Sequence, residues 1–147
     1  MVGISIIILT YNSANFIRPC LDSILRQQAA GLEIILIDNA SKDNTISLVK
    51  ENYSKIKIIE NKVNFGACKA RNQGLAVAIG EWILFIDCDV VLERNFLKIA
   101  LKIIETLLPK VGLIQPKVLD IKKNKIYSTG IRPSFLKRFH DIGKGKP

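Results

Sequence analysis

The sequence predicts an α/β fold: a mostly parallel sheet with helices on both faces. Three observations predict it. Apolar, β-branched runs of strand length alternate with stretches of helical periodicity, as crossover connections require. The runs Ile6 to Leu9, Ile34 to Ile37 and Trp82 to Ile86 are too short for a bilayer, which needs roughly 20 apolar residues. Each of the first four strands is followed by a polar cluster, and ligands of open parallel sheets bind at the carboxyl ends of strands.

The elements follow in order. Ile4 to Leu9 reads as a strand buried on both faces. Ser13 is placed to cap a helix whose stripe is Phe16, Ile17, Cys20, Leu21, Ile24 and Leu25, with Pro19 in its early turns and Gly31 after it. Glu33 to Ile37 is the second strand. Asp43 opens a helix to about Tyr53, carrying Ile46 and Val49 on its apolar face. Ile56 to Ile59 is the third strand. Gly66 opens a small-residue helix through Ala67, Ala70 and Ala76 that Gly80 ends. Trp82 to Ile86 is the fourth strand, Glu93 to Leu108 a long amphipathic helix, and Val111 to Gln115 a fifth strand. Beyond it the pattern weakens. Val118 to Ile121 and Lys125 to Ser128 suggest a hairpin about Lys123-Asn124, and the signals past Gly130 are turn-like. Residues 1–116 thus form one α/β domain, and 117–147 a basic, less regular extension.

Composition narrows the function. In 147 residues there are 22 Lys+Arg, 13 Asp+Glu and 48% hydrophobic residues, which excludes disordered and low-complexity classes. Three Cys with no CxxC pair and a single His, His140, leave a structural zinc site without ligands. Thiols kept reduced and the lack of a basic, apolar export signal point to the cytoplasm. The charge is uneven: residues 117–147 hold nine basic residues against two acids, a net +7 of the chain's +9. Such a tail suits nucleic acid, an anionic membrane surface at its inner face, or a solvated segment. Thinly spread aromatics (Tyr127, Phe135, Phe139) and the absence of a recognition motif argue against nucleic acid.

The candidate chemistry sits on one edge of the expected sheet. Asp87-Cys88-Asp89 follows the strand Trp82 to Ile86, and carboxylates at i and i+2 on extended chain point the same way. They suit a hard divalent cation shared with a diphosphate, or else a solvated turn. Asp38, ending strand two, reads as an acceptor for a ribose or base, or as a turn acid before Asn39-Ala40-Ser41. Gly66 allows close backbone approach, and Arg71 reaches a phosphate or a base from the helix that follows. Neither a GxGxxG nor a P-loop pattern is present. Cys88, between two carboxylates, is a poor nucleophile, and Cys20 and Cys68 read as helix packing residues. A phosphorylation receiver would need paired acids after strand one, where Thr10-Tyr11-Asn12 stands.

Four blocks in order resemble the family 2 glycosyltransferases. They are Thr10-Tyr11-Asn12 with Asn15; Ile37 through Thr45 (IDNASKDNT); Asn64-Phe65-Gly66 with Ala70-Arg71-Asn72-Gln73-Gly74; and Asp87-Cys88-Asp89 after WILFI. The match covers about residues 3–116. Val111 to Lys117 with Ser128-Thr129-Gly130 is similar, more weakly, to the bacterial rhamnosyltransferase-like branch. The resemblance implies a Rossmann-like GT-A nucleotide-diphospho-sugar transferase fold and inverting sugar transfer. The donor would be a nucleoside-diphosphate sugar (UDP- or dTDP-sugar) and the acceptor a glycan or lipid-linked sugar. It implies a divalent cofactor, Mn²⁺ or Mg²⁺. It assigns Thr10, Tyr11 and Asn12 to the nucleotide pocket, Asp38 to the base, Arg71 to the nucleotide, Asn64 and Gly66 to the pocket wall, Asp87 to ribose or metal, and Asp89 to the metal. The general base of such enzymes is an acid in a Glu-Asp pair well past the metal triplet. No Glu-Asp pair occurs here, and only Asp120 and Asp141 follow Glu105, so the base is expected beyond Pro147 and the chain is expected to be the donor-binding part. A non-catalytic nucleotide-sugar-binding module or partner subunit is the alternative.

Overall fold

The computed structural model describes residues 3–27, 29–107, 110–120, 122, 125–133 and 139–146. Two compact units divide the chain, Met1–Thr106 and Leu107–Pro147.

The first unit is built on β1 (Ile4–Thr10), β2 (Leu32–Asp38), β3 (Lys57–Glu60) and β4 (Trp82–Asp87), in the order β3-β2-β1-β4 with every pairing parallel. Register aligns Thr10 with Asp38, Asp38 with Glu60, and Leu9 with Asp87, so the strands finish level along one edge. The helices between them are α1 (Ala14–Leu25), α2 (Thr45–Asn52) and α3 (Ala67–Val77), and α4 (Phe96–Thr106) follows β4.

The pleat sends alternate β1 side chains to opposite faces. Ile4, Ile6 and Ile8 pack with Ile17, Cys20, Leu21 and Ile24 of α1, Val49 of α2 and Leu97 of α4. Ile7 goes the other way, with Ile35, Ile37 and Ala70 of α3. Ile6, Ile8, Ile35, Leu36 and Ile37 are fully buried, and each such side chain is worth about 1.5–3 kcal/mol over its exposed state. α3 lies close to the sheet because Gly74 has no side chain: a Cβ there would stand 2.7 Å from Ile7 Cγ2 and 2.8 Å from Ile37 Cδ1.

The second unit contains β5 (Val118–Asp120) antiparallel to β6 (Lys125–Ser128), and β7 (Ile131–Pro133) antiparallel to β8 (Phe139–Asp141). The expected hairpin is present, and its turn at Lys123-Asn124 lies outside the described residues. Two expectations fail. Val111 to Gln115 forms no strand; the segment 111–117 is irregular, and Leu113 is 82% exposed, so the apolar run was not burying itself in a sheet. The β7–β8 pair, read as turns, is fixed by long-range pairing: Thr129 N–H donates to the Ile142 carbonyl at 2.9 Å and Ile142 N–H to the Gly130 carbonyl at 2.8 Å. Three-residue strands are too short to show an alternation. The expected Leu108 end of α4 lies outside the described residues, and Cys68 is exposed, not packed.

Candidate functional site

The sharp turn after β1 is held by residues far along the chain. Asn12 takes a positive φ of 50°, its N–H donates to Ser41 Oγ at 2.9 Å, and its Oδ1 accepts from the Lys42 N–H at 2.7 Å. Ser13 occupies the N-cap of α1 without capping it; its hydroxyl donates to the Tyr11 carbonyl instead. The cap comes from Asp43, whose carboxylate accepts from the N–H groups of both Ala14 (3.1 Å) and Thr45 (3.0 Å), serving the starts of α1 and α2 together. Desolvation pushes the Asp43 carboxyl up, but the hydrogen bonds from the Thr45 hydroxyl and these two N–H groups outweigh it, and its pKa lies below the usual value.

Asp38 ends β2 at 4% exposure. Its carboxylate is engaged locally: Oδ2 accepts from the Ser41 N–H at 3.0 Å and Oδ1 from the Ser41 hydroxyl. This is an Asx-type turn, so the turn-acid reading describes its present contacts. Asn39 beside it organises an amide network. Its Oδ1 accepts from the Phe65 N–H at 3.0 Å and from Asn61 Nδ2 at 3.2 Å, and its Nδ2 donates to Asn64 Oδ1 at 2.7 Å. Asn64 Oδ1 also accepts from the Gly66 N–H at 2.9 Å, and Asn61 exchanges two hydrogen bonds with Gln73. Gly66 itself has φ 77°, with open space where a Cβ would stand. Glycine is therefore required there by backbone conformation, not by close packing within the chain.

At the end of β4, Asp87 is the last strand residue, and a Val90 N–H to Asp87 carbonyl bond of 3.1 Å closes a turn around Cys88-Asp89. The two carboxylates are thus presented by a turn, and the extended i, i+2 geometry expected from sequence does not hold. Asp87 Oδ1 meets Arg71 Nη2 at 2.5 Å, while Asp89 has no ion pair or hydrogen bond among the described residues. The Cys88 thiol donates to Ser13 Oγ at 3.0 Å and ties this turn to the start of α1.

An open cleft of about 420 Å³ lies between these turns, lined by Leu9, Tyr11, Asn12, Ser13, Phe16, Asp87, Cys88 and Asp89. Of the residues singled out from sequence, Tyr11, Asn12, Asp87 and Asp89 meet there, and Arg71 joins them through Asp87. Asn64 and Gly66 lie with Asp38 and Asn39 on the neighbouring part of the same sheet edge. Thr10 does not line the cleft: it is fully buried, and its Oγ1 has no hydrogen-bond partner. Sequence reasoning missed Ser13, Phe16, Asn39, Asn61 and Gln73. Asn39 and Asn61 each follow a strand at the ligand-binding edge, and Asn39 and Gln73 stand in blocks of the resemblance; the place of Phe16 in the cleft and the pairing of Gln73 with Asn61 are visible only in three dimensions.

Among the described residues no group of three or more His, Cys, Asp or Glu gathers to hold a metal. The donor set present is two hard carboxylate oxygens, which fits Mg²⁺ or Mn²⁺ taking its remaining ligands from phosphates and water.

A parallel α/β sheet with its polar turns gathered at the carboxyl edge is a Rossmann-like arrangement; its likeness to solved nucleotide-sugar transferases makes it a GT-A fold, and the comparisons give the family. The model of glycosyl transferase family 2 matches residues 5–144, and the chain belongs to that family. It is 40% identical over 92 residues to a poly(ribitol-phosphate) beta-glucosyltransferase of Bacillus spizizenii, a match covering 58% of this chain and 14% of that protein. Among solved structures it resembles S. aureus TarS 1-349 in complex with UDP-GlcNAc (TM-score 0.67, 28% identity, 80% of this chain and 40% of that one). It also resembles the mannosyltransferase PcManGT from Pyrobaculum calidifontis in complex with GDP-Man and Mn²⁺ (TM-score 0.72, 30% identity, 81% and 36%). The chain spans less than half the length of each of these proteins.

Proposed function

We propose that the chain forms the donor-binding part of an inverting, metal-dependent glycosyltransferase that takes a sugar from a nucleoside-diphosphate sugar, a UDP- or dTDP-sugar by the sequence reading. The observation that carries this is the cleft itself, in which the acidic turn after β4 faces Tyr11 and Asn12 from the turn after β1. Asp89 and Asp87 would hold Mn²⁺ or Mg²⁺, which supplies charge compensation for the departing diphosphate. Tyr11 offers an aromatic face, 46% exposed, on which a base or ribose can rest. Asp38, once Ser41 yields, supplies a carboxylate to the base. Arg71 supplies a guanidinium to the nucleotide phosphates. A glycan or lipid-linked acceptor and a role in cell-envelope polysaccharide synthesis suit the Bacillus relative, and the basic segment 117–147 suits peripheral contact with the inner face of an anionic membrane from the cytoplasm. No helix among the described residues is long and apolar enough to cross a membrane.

One observation favours the second reading, a nucleotide-sugar-binding module without transfer. Among the described residues, the carboxylates lining the cleft are the two assigned to the metal, and neither is left to act as a base. Calorimetry with UDP, dTDP and GDP, with and without Mn²⁺, tests the donor site common to both readings. Asp89→Ala should abolish the Mn²⁺ enhancement of nucleotide affinity and leave the fold intact; an undiminished enhancement refutes the metal assignment.

A further inference from the structure

We propose that Arg71 is a built-in substitute for the metal: it neutralises Asp87 and keeps divalent cations out of the cleft until a nucleoside diphosphate draws the guanidinium away. The proposal rests on the donor-site reading above and adds an order of binding to it.

Arg71 is placed by helix periodicity. On α3, residues 67, 70, 71 and 74 share one face, and Ala70 and Gly74 are buried against the sheet. Arg71 therefore flanks the packed face and extends along the sheet edge to the end of β4. Its anchor is firm, because Gly74 sits tight on Ile7 and Ile37 and the Asn39 network fixes the loop that leads into α3. Its tip is not: the side chains of the ion pair are 34% exposed at Arg71 and 58% at Asp87. A pair this open to water is weak and exchanges readily.

The chemistry of the pair sets the consequence. The guanidinium carries a full positive charge against the Asp87 carboxylate and so compensates it. With Asp87 engaged, Asp89 is the one carboxylate left among the described residues that line the cleft, and one exposed carboxylate is a poor site for Mn²⁺ or Mg²⁺. The planar fork of arginine donates to carboxylate or phosphate oxygens with the same geometry. A diphosphate in the cleft thus competes for Arg71 and releases Asp87. Two carboxylates and the phosphate oxygens then become available together. Metal and nucleotide must consequently favour each other's binding, by the same factor in both directions.

The test is Mn²⁺ binding to the whole chain, read from the electron paramagnetic resonance signal of unbound Mn²⁺, alone and with UDP, GDP or dTDP. Wild type should bind Mn²⁺ weakly alone and more tightly with the nucleotide it prefers. Arg71→Gln should bind Mn²⁺ alone about two- to fivefold more tightly, the range an exposed ion pair commands, and the gain from nucleotide should shrink. Arg71→Lys, which keeps the charge, should stay near wild type in nucleotide-free Mn²⁺ affinity. If Arg71→Gln shifts Tm but leaves the nucleotide-free Mn²⁺ affinity unchanged while wild type retains its coupling, Arg71 is a tether and the gate is refuted with the donor site intact. If wild type binds no Mn²⁺ even with nucleotide, the donor reading and the gate fall together.

Discussion

Replacing Asn39 by Asp tests whether the amide network is wired as described. The side-chain orientations are set by backbone donors, which cannot flip. The Phe65 N–H requires an acceptor at Asn39 Oδ1, and the Gly66 N–H requires one at Asn64 Oδ1. Asn39 Nδ2 must then donate across the 2.7 Å to Asn64. Asn39→Asp keeps the acceptor for Phe65 but sets oxygen against oxygen. Turning Asn64 over would only move the conflict to Gly66. The substitution also places a charge at a position 3% exposed. A lost hydrogen bond of about 1 kcal/mol and an unsatisfied buried group of about 1–3 kcal/mol sum to about 2–4 kcal/mol. For a unit of this size that lowers Tm by roughly 10–25 °C. Asn39→Ala loses more hydrogen bonds, yet Asn64 and Phe65 are exposed, so water repairs most of them, and about 1–2 kcal/mol is expected. Urea or thermal unfolding followed by circular dichroism measures both. Asn39→Asp at least as stable as Asn39→Ala at pH 7 would refute the wiring.

Asp43→Ala removes the shared cap of α1 and α2 and should cost about 1–2 kcal/mol. Because the folded carboxyl pKa is lowered, the wild-type contribution is present above about pH 4 and lost as pH falls through the lower folded value, so the variant's stability should fall less steeply in acid. At the alkaline end, burial, the 2.8 Å hydrogen bond to Asp22 and that carboxylate's charge push Tyr53 from 10.0 up to about 12, and burial with the charges of Cys88, Asp89 and Asp87 pushes Cys20 from 9.0 up to about 12. Both groups fold best when neutral, so their contribution is complete below about pH 9 and declines toward about pH 12; Tyr53→Phe should flatten this decline in a Tm series. Gly80→Ala would put a Cβ 2.4 Å from Ser5 N and 2.8 Å from the Ile4 carbonyl carbon, backbone atoms of the central strand, and should cost about 3 kcal/mol in urea unfolding. Gly66→Ala, with open space but φ 77° and ψ 165°, a region essentially restricted to glycine, should cost about 1–3 kcal/mol in the same assay.

The sequence by itself determined the α/β class, the four parallel strands and their order along the chain, because buried strands and amphipathic helices each impose a period that local residues display. It also marked the strand ends where Asn12, Asp38, Asp87 and Asp89 stand. Only the tertiary structure decided how those residues are used. That Asp43 caps a helix beginning at Ala14, that Asn39 holds the loop at Phe65, that Arg71 reaches Asp87, and that Thr10 is sealed away from the cleft are relations between distant residues brought together by strand pairing. The strand expected at Val111 to Gln115 failed for the same reason. Apolar composition favours burial, but a strand exists only where a neighbour supplies its hydrogen bonds, and that neighbour is chosen by the fold as a whole.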